Sequence, residues 1–126
     1  MNSFLIAISA MGLFSGNLMS VPEIPKFDVE ETLAFLSYCE SSGNSKAYRA
    51  DDNGSPSIGL FQFKLETWNW AIKRYYRKIF PGNFYFTLDI MNPDHQRMVA
   101  RVMIEDGRYE QHWKVCFAKS KKYFGF

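Results

Sequence analysis

Glu40 is the residue in this chain whose type and setting could do acid–base chemistry. Upstream of it, Val29, Leu33 and Leu36 recur at i, i+4 and i+7, one face of a 3.6-residue period. Extending that stripe by four positions reaches Glu40, about three turns beyond Val29, so its carboxyl points the same way as the apolar side chains. A carboxylate among apolar neighbours is hard to ionise, which raises its pKa. The negative end of the helix dipole pushes the same way. Both effects favour a carboxyl that keeps its proton near neutral pH, which is what general-acid cleavage of a glycosidic bond requires. The plain alternative is an end-of-helix glutamate that frays into water.

The elements that must position Glu40 read as helices. Asp28 caps the first, with Glu31 three places on as in a capping box, and Gly43 stops it. Residues 44–58 are polar and turn-rich, a loop or short hairpin. A second helix is expected near Lys64–Phe80, with Trp68, Ile72, Tyr75 and Ile79 as its core stripe and Pro81-Gly82 as its end. Asn92-Pro93-Asp94 opens a third, with Met98, Val99, Val102 and Met103 facing inward and Gly107 closing it. A short fourth helix, about Tyr109–Ala118, holds Trp113. The class is mainly α, with at most a small hairpin near 45–62.

Composition sets the outer limits. At 126 residues the chain is the size of one domain. With 47% hydrophobic and 22% charged residues it can bury a core, which excludes disorder for most of it. A net charge of +2 is too weak to argue for nucleic acid. No Gly-rich phosphate loop, no Cys-x-x-Cys pair and no repeat is visible. Residues 1–22 carry no charged side chain, and Phe4 to Phe14 is a mostly apolar run. That length suits a signal-peptide core of about 7–15 residues better than a membrane span of about 20. Residues 1–22 are therefore read as an export signal or anchor, and 23–126 as the domain.

The words around Glu40 narrow the chemistry. The chain reads Cys39-Glu40-Ser41-Ser42-Gly43-Asn44, then Ser57-Ile58-Gly59-Leu60-Phe61-Gln62-Phe63, then Thr67-Trp68, then Gln96 to Ala100, and finally Trp113-Lys114-Val115-Cys116. This ordered series resembles the resuscitation-promoting-factor domain and the soluble lytic transglycosylase branch of the lysozyme-like superfamily. The resemblance implies a lysozyme-like fold that cleaves peptidoglycan between N-acetylmuramic acid and N-acetylglucosamine, without a cofactor. By the same match Glu40 is the catalytic acid, and Gln62 and Ser57 lie in the glycan cleft. Tyr48 is a further candidate substrate contact, from its position in the loop facing Glu40. Trp68 reads as core. The spacing from Glu40 to Gln62 is longer than in resuscitation-promoting factors, with the excess in Asp51–Pro56. The Ala-Tyr-Asn-x-Gly block of larger transglycosylases is not evident. Lys64 stands near the place where goose-type lysozymes carry a second carboxylate. Asp51, Asp52 and Glu66 remain as candidates for one, each more simply read as a surface charge. One carboxyl suffices for transglycosylation, whereas glycosidases that activate water commonly use two.

In an exported chain the two cysteines, Cys39 and Cys116, pair by default as a disulfide. Two free thiols are the alternative in a cytosolic protein. A metal site from Cys39, Cys116, His95 and His112 lacks familiar spacing, and none is expected. The basic face of Lys73, Arg74, Arg77 and Lys78, with the basic tail, could meet an anionic wall or lipid headgroups, or be plainly solvated. The expected partner is the glycan strand of peptidoglycan, bound by a monomer.

Overall fold

A computed structural model describes residues 28–50, 54–82 and 87–125. The export signal or anchor read at residues 1–22, and the candidate carboxylates Asp51 and Asp52, lie outside the described residues. The order of elements is α1 (Val29–Ser41), β1 (Tyr48–Arg49), β2 (Ser57–Ile58), β3 (Phe63–Lys64), α2 (Leu65–Ile79), α3 (Pro93–Glu105), α4 (Tyr109–His112) and α5 (Lys114–Phe124). The protein is thus mainly helical, as expected. The sheet is larger than the expected hairpin: three antiparallel strands in the order β1-β2-β3, with Tyr48 opposite Ile58 and Ile58 opposite Phe63. Among the described residues no helix is long and apolar enough to cross a membrane.

Helix starts follow their caps. Asp28 Oδ1 accepts from the amides of Glu30 at 2.9 Å and Glu31 at 3.3 Å, and the Thr32 hydroxyl donates to Asp28 O. Asn92 Oδ1 accepts from Asp94 N and His95 N, with Pro93 in the first turn. The end of α1 comes one residue sooner than Gly43 signals: Ser42 already adopts φ 55°, and the amides of Ser42 and Gly43 reach back to Tyr38 O and Ser37 O.

The expected single helix at 109–118 is two. Trp113, at φ −133° and ψ 58°, breaks the run between α4 and α5. Its buried indole donates to Phe61 O at 2.9 Å, and that tertiary bond outcompetes helical continuity. Helix α2 departs from helical geometry at Tyr75, whose hydroxyl donates to Asp106 Oδ2 and accepts from Arg108 Nε.

The core is aromatic at its centre. Phe63 meets Phe61, Trp68 and Trp113 edge-on, with centroids 6.1, 5.2 and 5.8 Å away. Leu33 and Leu36 from α1, and Val99 and Met103 from α3, are buried around it, so the two helical stripes read from the sequence do face inward. Helix α3 packs against both α1 and α2, and α5 against α1. Arg101 of α3 pairs with Glu30 of α1 at the surface, a bond worth little in water.

Gln96 of α3 is fully buried and bonded at both ends of its amide. Its Oε1 accepts from Leu60 N at 3.0 Å, and its Nε2 donates to Ser45 O at 3.1 Å and Ile90 O at 2.7 Å. Gly59 makes room for it: φ is +84°, and a Cβ there would stand 2.4 Å from Gln96 Nε2. Gly59→Ala should therefore destabilise the fold by more than about 3 kcal/mol, combining left-handed strain with loss of the buried amide's bonds. Gly54→Ala, at φ +80° with no atom in the way, should lose only about 1–2 kcal/mol. Urea unfolding of the two variants checks the difference.

Candidate active site

Glu40 lies in the last turn of α1, half-buried rather than in bulk solvent. Its carboxyl helps line an open cavity of about 260 Å³. The opposite lining comes from four sources: Arg49 and Ser57 of the sheet, Gln62 of the turn before β3, Thr67 of α2, and His112 and Trp113 at the α4–α5 break. Gln62 and Ser57, picked out from the sequence, thus join Glu40 at one cavity. Tyr48 does not. It is 67% exposed and is not among the lining residues; its neighbour Arg49 is. Successive side chains of a strand point to opposite faces, so β1 can offer only one of the two.

The disulfide Cys39–Cys116 is present, closing a sequence separation of 77 and tying the residue before Glu40 to α5. It also touches the site. Glu40 Oε2 lies 3.1 Å from Cys116 Sγ. A disulfide sulfur carries no proton and can only accept, weakly, so the contact suits a protonated carboxyl and gives an ionised one nothing. Burial pushes the Glu40 carboxyl above its ordinary range, and the positive charges of Arg49 and Lys119 pull against it. Glu40 is the one carboxylate lining the cavity among the described residues; Glu66 is exposed and does not line it. Lys64 lines the wall and donates to Ser55 O at 2.9 Å.

The turn that presents Gln62 is unusual. Gln62 has φ 54°, in the left-handed region, at a strain of about 1–2 kcal/mol. Both its backbone amide and its side-chain Nε2 donate to Gly59 O, at 3.2 and 3.0 Å. The side chain is thus a tie to the loop at one end, while Oε1 at the other end is buried and has no partner among the described residues. Strained residues of this kind gather at functional sites, held by the structure around them. Trp68 is a core residue, 2% exposed, as its helix stripe requires.

Arg49, Thr67 and His112 were not readable as site residues. The sequence offers His112 only as a metal ligand, but both cysteines of that set are bonded to each other, and no metal-holding cluster occurs among the described residues. The usable signal was its place just before Trp113-Lys114-Val115-Cys116. Comparison of the chain with family models, curated proteins and solved structures returned no match.

Two outcomes follow from this geometry. Because Glu40 holds its proton more tightly folded than unfolded, its contribution to stability is greatest at low pH and is lost as pH rises through the raised folded pKa. Glu40→Gln should therefore unfold at a higher temperature than wild type at pH 7, with the gap closing below the ordinary glutamate value of about 4.3. Thermal melts across pH check the sign. Replacing both cysteines by Ser should lower stability by about 2–4 kcal/mol, measured by urea unfolding against the oxidised chain.

Proposed function

We propose that this domain cleaves peptidoglycan between N-acetylmuramic acid and N-acetylglucosamine, as a lytic transglycosylase with Glu40 as its one acid and base. The observation that carries the reading is the Glu40 carboxyl, half-buried against a sulfur that cannot donate, at the wall of an open cavity with Ser57 and Gln62. Burial favours the protonated form that the first step consumes. Glu40 gives its proton to the bridging oxygen as the bond to the muramyl C1 breaks, and the sugar's own N-acetyl group steadies the cation. The muramyl C6 hydroxyl then attacks C1. Its proton returns to the Glu40 carboxylate, and a 1,6-anhydro ring closes with no net gain or loss of protons by the enzyme.

A single carboxyl lining the cavity among the described residues supports ring closure over water attack, which commonly needs a second one. The lysozyme-like fold, implied by the residue series from Cys39 to Cys116, is part of the same proposal, as is export to the cell envelope. A disulfide supports an oxidising compartment. The basic face of Lys73, Arg74, Arg77 and Lys78 borders a separate hollow of about 420 Å³ and would suit the anionic polymers of a wall.

The purified chain should release muropeptides one water lighter than hydrolysis would, read by mass spectrometry. Hydrated reducing ends alone would reject the ring-closing step, and no release would reject the enzyme in favour of a wall-binding protein. Glu40→Gln should reduce release at least about a hundredfold. Release should fall as pH rises, with its midpoint above the ordinary glutamate value of about 4.3. Arg49→Ala should move that midpoint to higher pH, because a charge that lowers the Glu40 pKa is gone; a shift downward would contradict the electrostatics.

A further inference from the structure

We infer that Gln62 and His112 together form a subsite for one acetamido group, with Gln62 Oε1 accepting its N–H and His112 Nε2 donating to its carbonyl. The inference deepens the reading of this cavity as a glycan cleft and rests on it. Both atoms are buried, and neither has a hydrogen-bond partner among the described residues. Both side chains line the cavity that Glu40 lines. An unpaired buried polar atom costs about 1–3 kcal/mol, and two at one cavity call for an occupant.

The chemistry of the two atoms selects that occupant. Gly59 O can only accept, so the nitrogen end of the Gln62 amide must face it, which leaves Oε1 toward the occupant. Oε1 cannot donate, so the occupant must bring an N–H or O–H. Burial, and after it the nearby Arg108 charge, push the His112 pKa below its ordinary range, which disfavours a second proton. We assign the remaining proton to Nε2, the buried nitrogen without a partner, which then needs an acceptor. An acetamido group supplies one donor and one acceptor on a rigid plane. An ammonium, the group left by deacetylation, could satisfy Gln62 but offers His112 nothing, and it would meet the positive charge of Arg49 across the cavity.

The imidazole is also held in place. Its ring lies 5.4 Å from that of Trp70, and the Arg108 guanidinium covers Trp70 at 5.0 Å. Arg108 is fixed in turn by Tyr75 Oη at 2.6 Å and Gln111 Oε1 at 3.0 Å. Such a chain of supports fits a ring that must present one nitrogen in one direction.

Calorimetry on the disulfide-intact chain tests this with two probes, the trimer of N-acetylglucosamine and its fully N-deacetylated counterpart. Wild type should bind the acetylated trimer at least tenfold more tightly. His112→Phe, which keeps a ring against Trp70 but has no donor, should bring that ratio near one by weakening the acetylated trimer alone. His112→Gln, whose amide nitrogen can stand near the place of Nε2, should keep most of it. A wild-type ratio near one, binding of neither trimer, or equal weakening of both by His112→Phe would overturn the subsite. Release from peptidoglycan, assayed in parallel, separates the two proposals. Release without discrimination leaves the enzyme and removes the subsite; discrimination without release leaves a binding site and removes the enzyme.

Discussion

One buried amide holds the parts of this molecule in register. Gln96 reaches from the centre of the helical core to three separate stretches of backbone: the loop after α1, the turn before β3, and the segment leading into α3. Each contact satisfies a backbone group: the Leu60 amide, which is buried, and the Ser45 and Ile90 carbonyls, whose residues are half-buried. The arrangement tolerates no side chain at Gly59, because the space a Cβ would need is occupied by the amide itself. The turn that presents Gln62 begins at that glycine, so the position of a cavity residue is set from behind by a core residue that never reaches the cavity.

A second constraint works on Glu40. Its carboxyl is taken partly out of water, against a disulfide that offers no hydrogen, while Arg49 and Lys119 stand near enough to oppose the effect. Desolvation wins in direction, and the two cations limit how far. Glu40 is thus a carboxyl held by the fold in a setting that disfavours its charged form. The crosslink serves both ends at once. It limits the unfolded chain, and it places Cys116 Sγ 3.1 Å from Glu40 Oε2.

The network of Asp106, Tyr75, Arg108 and Trp70 belongs to the same economy of supports. It runs from the non-helical residue of α2 through the end of α3 to the ring of His112. None of these side chains touches the cavity, yet together they orient one that does. Arg108 carries a further consequence, since its charge, added to burial, pushes the pKa of the imidazole down.

Local rules were enough to read the helices, their caps and the inward stripe that carries Glu40, because periodicity and capping act over a few residues. The pairing of Cys39 with Cys116 was also legible, as there were only two cysteines to join. What the sequence by itself determined, then, was which residues of the first three helices turn inward and where those helices begin. The strand at Phe63–Lys64 and the break at Trp113 were not legible, because both answer to partners far along the chain, Ile58 for one and Phe61 O for the other. Tertiary structure alone decided that Arg49 and not Tyr48 lines the cavity, and that His112 shares it with Gln62. The physical reason is common to all four cases. A side chain's facing is set by long-range contacts whose energy exceeds local preference, and only the folded chain brings those partners together.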